Sequence, residues 1–162
     1  MSTVESIQNF SKKKIIITLF LILIVSLGLK LYTVDFSIPS HSDDMSFVLR
    51  AFQYAQGDFF IDPKANPGWS LFLSPFMLIM DSNDFDDYSN LVRIVSLTIS
   101  AITIFPMYVL ARKFFNDKYS IVAASLFAFE PHLNFISGTA MGEPLLILVL
   151  ITSMIFILND KI

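Results

Sequence analysis

Three lysines, Lys12-Lys13-Lys14, lead directly into IIITLFLILIVSLGL, Ile15 to Leu29. No other feature restricts the possible folds as much. A run this long and this apolar either crosses a bilayer or takes up most of the core of a small domain. The rest of the chain favours the bilayer. Hydrophobic residues make up 54% and charged residues only 15% of the 162 residues, and the mean hydropathy is +0.65, outside the range of ordinary soluble domains. A basic stretch followed by an apolar one is also the pattern of a secretory signal. No small-x-small cleavage site follows, however; the next residues are Lys30, Leu31, Tyr32, Thr33 and Val34. The expectation is a retained transmembrane helix over 15–34, with Lys30 reaching its ammonium to the interface.

Further apolar runs set the expected topology. NLVRIVSLTISAITIFPMYVLA, 90–111, is long enough to cross. A third run covers 119–135, passing through Pro131, and a fourth covers 143–158. PGWSLFLSPFMLIM, Pro67 to Met80, falls short of the roughly 20 residues a span needs. Its tryptophan and two prolines suit an interfacial or re-entrant helix. With that segment not crossing, Lys12, Lys13, Lys14, Arg112, Lys113, Lys118 and Lys161 all fall on one side, which the positive-inside rule makes cytoplasmic. The loop 35–89, rich in aspartate, then lies outside. The expected fold is an all-α membrane protein: one module over 1–162, multi-pass, N-terminus cytoplasmic, with about four transmembrane helices and amphipathic juxtamembrane helices in the external loop.

The chain has no cysteine, so disulfides and thiolate metal sites are excluded. It has no Gly-rich phosphate loop, no internal repeat and no basic patch suited to nucleic acid. Its candidate chemistry rests on carboxylates. Asp43 and Asp44 open an amphipathic segment in which Met45, Val48, Leu49, Phe52, Ala55 and Phe59 recur at helical spacing, with Gly57 as the stop. A helix N-terminus keeps such acids ionised. Ionised neighbouring acids can bind a divalent cation through oxygen, or supply a general base. They can equally serve only as an N-cap and a favourable first turn. Glu143 precedes Pro144 at the expected start of the last span. It is either a helix-start carboxylate in water or a third acid at the same membrane face.

Several other residues carry two readings each. His41 and His132 are ligands or proton shuttles, or solvated loop residues. Glu130 joins the acidic cluster or reaches water. Lys64 and Arg93 grip a phosphate, or are paired structurally. Asp81, Asp84, Asp86 and Asp87 in DSNDFDDY suggest a calcium loop, but the glycine and distal glutamate of an EF-hand are missing, which favours a solvated turn.

The order of these elements resembles a known superfamily. A first span is followed by an acidic pair opening an amphipathic helix, DDMSFVLRAFQYAQGDFF. Next come a proline-containing helix, NPGWSLFLSPFMLI, and an arginine beginning the second span, LVRIVSLTISAITIFPMYVLARKFF. An alanine-rich third span, YSIVAASLFAFEP, precedes an acid opening the fourth, SGTAMGEPLLILVLI. This is similar to the N-terminal part of GT-C glycosyltransferases, nearest the branch of dolichyl-phosphate-mannose protein mannosyltransferases and lipid A aminoarabinose transferases. The resemblance implies transfer of a sugar from a polyprenyl-phosphate donor to a protein or lipid acceptor on the extracytoplasmic side. It implies Asp43 as catalytic base, Asp44 as the second acid of the pair, and Glu143 as the acid of the second external loop. It implies that Glu143 contributes to a metal site, where a divalent cation (Mg or Mn) would sit on Glu143 and Asp44; His41 is a weaker ligand on residue type alone. Lys64 is the implied contact to the lipid phosphate, and Arg93 is a second candidate by its charge and position. Members of this family carry more spans than four, so further helices are expected from a longer chain or a partner subunit. The competing class is a non-catalytic helical subunit of a larger membrane complex, or a transporter or channel fragment whose acids form a cation-attracting mouth.

Overall fold

The computed structural model describes residues 11–38, 42–59, 67–80, 82 and 84–159, without the side chains of 42–44. Among these residues every regular element is a helix: α1 (Lys12–Thr33), α2 (Ser42–Ala55), α3 (Pro67–Ile79), α4 (Phe85–Ile102), α5 (Ile104–Ala111), α6 (Asp117–Ala128), α7 (Pro131–Ser137) and α8 (Glu143–Asn159). The all-α expectation therefore holds.

Two stretches are long and apolar enough to cross a membrane, Lys12–Thr33 and the 27 residues Phe85–Ala111. Only 22% of the first and 44% of the second is buried within the protein, unlike the core helix of a soluble domain. Ile16, Ile17, Phe20, Leu21, Ile24 and Val25 all face outward from α1. The second stretch is about 40 Å long at 1.5 Å per residue. The break between α4 and α5 at Thr103 has a covalent cause. Pro106 has no N–H to offer the Ile102 carbonyl one turn back, so the ladder loses a rung there.

Proline also shapes α3 and the third apolar run, with different outcomes. Pro75 lies inside α3 and deprives the Leu71 carbonyl of its partner; the Ser74 hydroxyl donates to that carbonyl instead at 2.8 Å, and the helix continues. In the third run no such repair is made. The expected continuous helix over 119–135 is divided at Phe129 and Glu130, where Glu130 caps a new helix whose first residue is Pro131. The carboxylate of Glu130 accepts from the Leu133 N–H at 2.5 Å. A proline at the first helical position with an acid just before it is a start signal, and here it outweighs the apolar continuity.

The helices pack around two apolar clusters. One joins Val48 and Ala51 of α2, Trp69, Leu73 and Met77 of α3, Tyr88, Val92 and Ile99 of α4, and Ala140. The other joins Ile15 and Leu19 of α1, Ile104 of α5, and Ala124 and Ala128 of α6. The inward face of α2 is thus Val48 and Ala51, while Met45 and Leu49 of the expected stripe point outward. The expected stop at Gly57 is present. Its φ is +83°, and Gly57 N–H and Asp58 N–H bond back to the Tyr54 and Gln53 carbonyls, the paired bonds of a Schellman ending.

These contacts fix the direction of each rod. The start of α1 lies beside α5 and α6, and its end beside α7. The end of α8 meets the α5–α6 turn, where Lys113 bonds the Asn159 side chain. One end of the bundle therefore carries Lys12, Lys13, Lys14, Arg112, Lys113 and Lys118. The opposite end carries the starts of α2, α4, α7 and α8 with their acidic residues.

Candidate functional site at the acidic end

Near the acidic end the first turn of α3 is the common neighbour. Ser70 Oγ donates to the Phe47 carbonyl of α2 at 3.1 Å. The adjacent Trp69 donates through Nε1 to the Ala140 carbonyl at 2.9 Å. Its ring lies so close to Gly142 that a Cβ there would sit 3.0 Å from Trp69 Cβ and Cγ. Glu143 follows at once. The N-terminal parts of α2 and α8, far apart in sequence, thus flank a single turn of α3. The side chains of Asp43 and Asp44 at the start of α2 lie outside the described residues, as do His41 and Lys64 entirely.

Glu143 is half-buried, and its Oε2 is fully enclosed with no hydrogen-bond donor among the described residues. The turn before it is held from three sides. Besides the Trp69 bond, Ser96 Oγ of α4 donates to the Met141 carbonyl at 3.4 Å, and the Gly138 backbone lies against Val34 at the end of α1. Within this turn Ala140 adopts φ +58°, a left-handed conformation that costs a residue with a side chain about 1–2 kcal/mol.

Arg93 is buried in α4. Its two terminal nitrogens donate to the carbonyls of Asp35 (3.2 Å) and Ile38 (2.9 Å), and Asn90 reaches the Phe36 carbonyl at 3.4 Å. Together they fasten the chain leaving α1 to the side of α4. The Arg93 Nε–H has no acceptor. Asp35 itself makes a tight turn, accepting from Ser37 Oγ at 2.6 Å and Ser37 N–H at 2.9 Å. These bonds hold its carboxyl below the usual carboxylate pKa.

Lys30 does not snorkel as expected. It is 2% exposed and donates to Ser100 Oγ (3.1 Å), Asn134 Oδ1 (2.5 Å) and Ser137 Oγ (3.2 Å). Sequence reasoning placed it within reach of water. The only available signal was the pairing of one lysine with small hydroxyl residues and an asparagine in otherwise apolar runs. Glu130 and His132 sit at the start of α7, Glu130 as a helix cap. Asp84 caps α4 through the Asp86 N–H at 3.0 Å, and Asp87 accepts from Ser82 Oγ at 2.6 Å; Asp81 lies outside the described residues.

Among the described residues no three acidic or histidine side chains gather as a metal site. The expected pair of Asp44 and Glu143 has one member outside that set. Comparison with protein-family models, curated proteins and solved structures finds no match to this chain.

Proposed function

We propose that this chain is the N-terminal module of a membrane glycosyltransferase of the GT-C type, drawing sugar from a polyprenyl-phosphate donor. In this reading α1, α4–α5, α6–α7 and α8 all cross the bilayer, with the basic end cytoplasmic and the acidic end outside. The observation that supports it is that one turn of α3 bonds both to Phe47 of α2 and to Ala140 in the turn before α8, at the bundle end opposite the basic turns. A donor whose lipid lies in the membrane presents its phosphate and sugar at this level.

The chemistry follows from the groups this reading assigns to that end. The oxygen of an acceptor hydroxyl attacks the anomeric carbon and its proton passes to Asp43. The bond from that carbon to the phosphate oxygen breaks, and the electron pair leaves with the lipid phosphate. Arg93, with one buried N–H left over, and Lys64 are the candidate cations for that phosphate. A buried carboxylate oxygen without a donor suits a cation ligand, so Glu143, with Asp44, would hold a divalent ion of the Mg or Mn class. Such an ion supplies positive charge near the departing phosphate.

The test uses the full-length protein in its membrane with polyprenyl-phosphate mannose and polyprenyl-phosphate aminoarabinose, each radiolabelled in the sugar. Asp43→Asn should reduce transfer by about 10²–10⁴-fold, the usual contribution of a positioned base. Undiminished transfer removes Asp43 from the mechanism. These 162 residues contain no cysteine, so with any cysteine elsewhere in the full-length protein replaced, single cysteines at 43, 143 and 113 report topology directly. Labelling of 143 from the same side as 113 would sink the shared site.

A second reading is a non-catalytic helical subunit. The broad apolar outer faces of α1 and α8, including Phe20, Leu21, Leu146, Val149 and Phe156, favour it by offering surface to partner helices. Stable co-purification with other subunits, and no change in any glycan on deletion, would select it.

A further inference from the structure

We propose that Lys30 is a positioning residue for Glu143, acting through α7 and the turn that joins α7 to α8. The inference rests on the function proposed above for its catalytic consequence, though not for its structural half.

A buried ammonium is costly unless every N–H finds an acceptor. Lys30 has three, and all three are used: Ser100 on α4, and Asn134 and Ser137 on α7. The network is ordered beyond that. Ser137 Oγ accepts from Lys30 and donates its own hydrogen to the Asn134 carbonyl at 2.9 Å. No salt bridge to Lys30 exists among the described residues; its hydrogen bonds all go to neutral groups on two other helices, and the Glu130 carboxylate that caps α7 adds only a longer-range attraction.

The dependence runs toward α7. That helix has seven residues, too few to persist without tertiary support. Two of its side chains are spent on Lys30. Four residues beyond Lys30, Val34 lies against Gly138, where a Cβ would come within 2.6 Å of Val34 Cγ2. One turn of α1 therefore grips α7 with a charge and the following turn with a methyl. Ala140, Met141 and Gly142 complete the path to Glu143, each held by Trp69 or Ser96. Removing the ammonium deprives the partly buried Asn134 Oδ1 of its donor and releases the upstream end of this path, while Trp69 and Ser96 remain.

The experiment has two independent readouts in the full-length protein. The first is a disulfide between Val34→Cys and Gly138→Cys, in which replacing Val34 removes the methyl that would collide. Its rate of oxidation measures the docking of α7 on α1 and requires no catalysis. The second is sugar transfer with the labelled donors above. Lys30→Met should slow cross-linking about tenfold or more and lower kcat by up to about a hundredfold, the scale of a misplaced group, with KM within about twofold. Asn134→Ala should give the same pattern more weakly and carries the test if Lys30→Met fails to accumulate. Ser100→Ala, which leaves both α7 acceptors in place, should leave cross-linking near the parent rate. Combining Lys30→Met with Glu143→Gln should cost no more kcat than the larger single change, although the two residues do not touch. Cross-linking at the parent rate in Lys30→Met overturns the proposal, and so do additive kcat losses. Slowed cross-linking in a protein that transfers no sugar from any donor overturns the proposed function and leaves the structural half standing.

Discussion

The two ends of the bundle are built differently. At the basic end the polar contacts are mostly local and complete. Arg112 pairs with Asp117 at 2.9 Å, five positions away, Tyr108 donates to the same carboxylate at 2.9 Å, and Asn116 caps α6 through the Tyr119 N–H. Among the described residues the long tie at this end is Lys113 to Asn159. At the acidic end the ties span far greater separations: Arg93 to the Asp35 and Ile38 carbonyls, Trp69 to Ala140, Lys30 to Asn134. Yet this end, though more heavily cross-braced, leaves Arg93 Nε and Glu143 Oε2 buried without partners among the described residues. Local contacts close a turn and stop there. Long-range braces of this kind hold groups that folding alone leaves unsatisfied, the arrangement expected where a ligand supplies the missing partner.

Substitutions can break that contrast. The largest effect is expected at Trp69. Trp69→Ala removes a buried aromatic and the Ala140 tie together and should cost about 3–5 kcal/mol in unfolding, read by circular dichroism in detergent. Gly138→Ala comes next. Its new methyl meets Val34 Cγ2 and should cost about 1–3 kcal/mol by overpacking, with Val34→Ala restoring most of the loss. Ala140→Gly should change stability by less than about 1 kcal/mol, because relief of the positive-φ strain is offset by the loss of a fully buried methyl and by glycine's backbone entropy. At the basic end Arg112→Ala should cost under about 1 kcal/mol, as exposed ion pairs do. A larger cost there than at Trp69 would erase the distinction between the ends.

The smallest effect is a pH dependence. The Asp35 carboxyl is held low first by the Ser37 hydroxyl and then by the Ser37 N–H. A lowered folded-state pKa stabilises above the unfolded carboxylate value, and that stability fades as pH falls through the folded value. Asp35→Asn should therefore lower Tm at neutral pH and match the parent in acid. Curves that stay parallel across the whole range would show that the turn does not depend on the charge.

What the sequence disclosed follows the same division. Features set within one or two turns were legible: the α2 span and its Gly57 ending, the short α3, the α8 start at Glu143, and the first span. Interruption of the third run was not anticipated, because apolar continuity hid a proline that begins a helix rather than bending one. Lys30 was misjudged because a lysine near the end of an apolar run has two outlets, water or a polar pocket, and the pocket is assembled from Ser100, Asn134 and Ser137 only after packing. The same holds for Arg93, whose acceptors are backbone carbonyls and leave no trace in residue type. The side chains of Asp43 and Asp44 lie outside the described residues, so the central acids of the candidate site rest on sequence alone.

The break at Thr103 has a wider consequence. Ile99, just before it, belongs to the cluster shared with α2 and α3; Ile104, just after it, belongs to the one shared with α1 and α6. Past the hydrogen bond that Pro106 cannot make, one length of chain leaves the first interior and enters a second, and no buried side chain is common to both. A substitution inside one interior therefore meets none of the residues that fill the other.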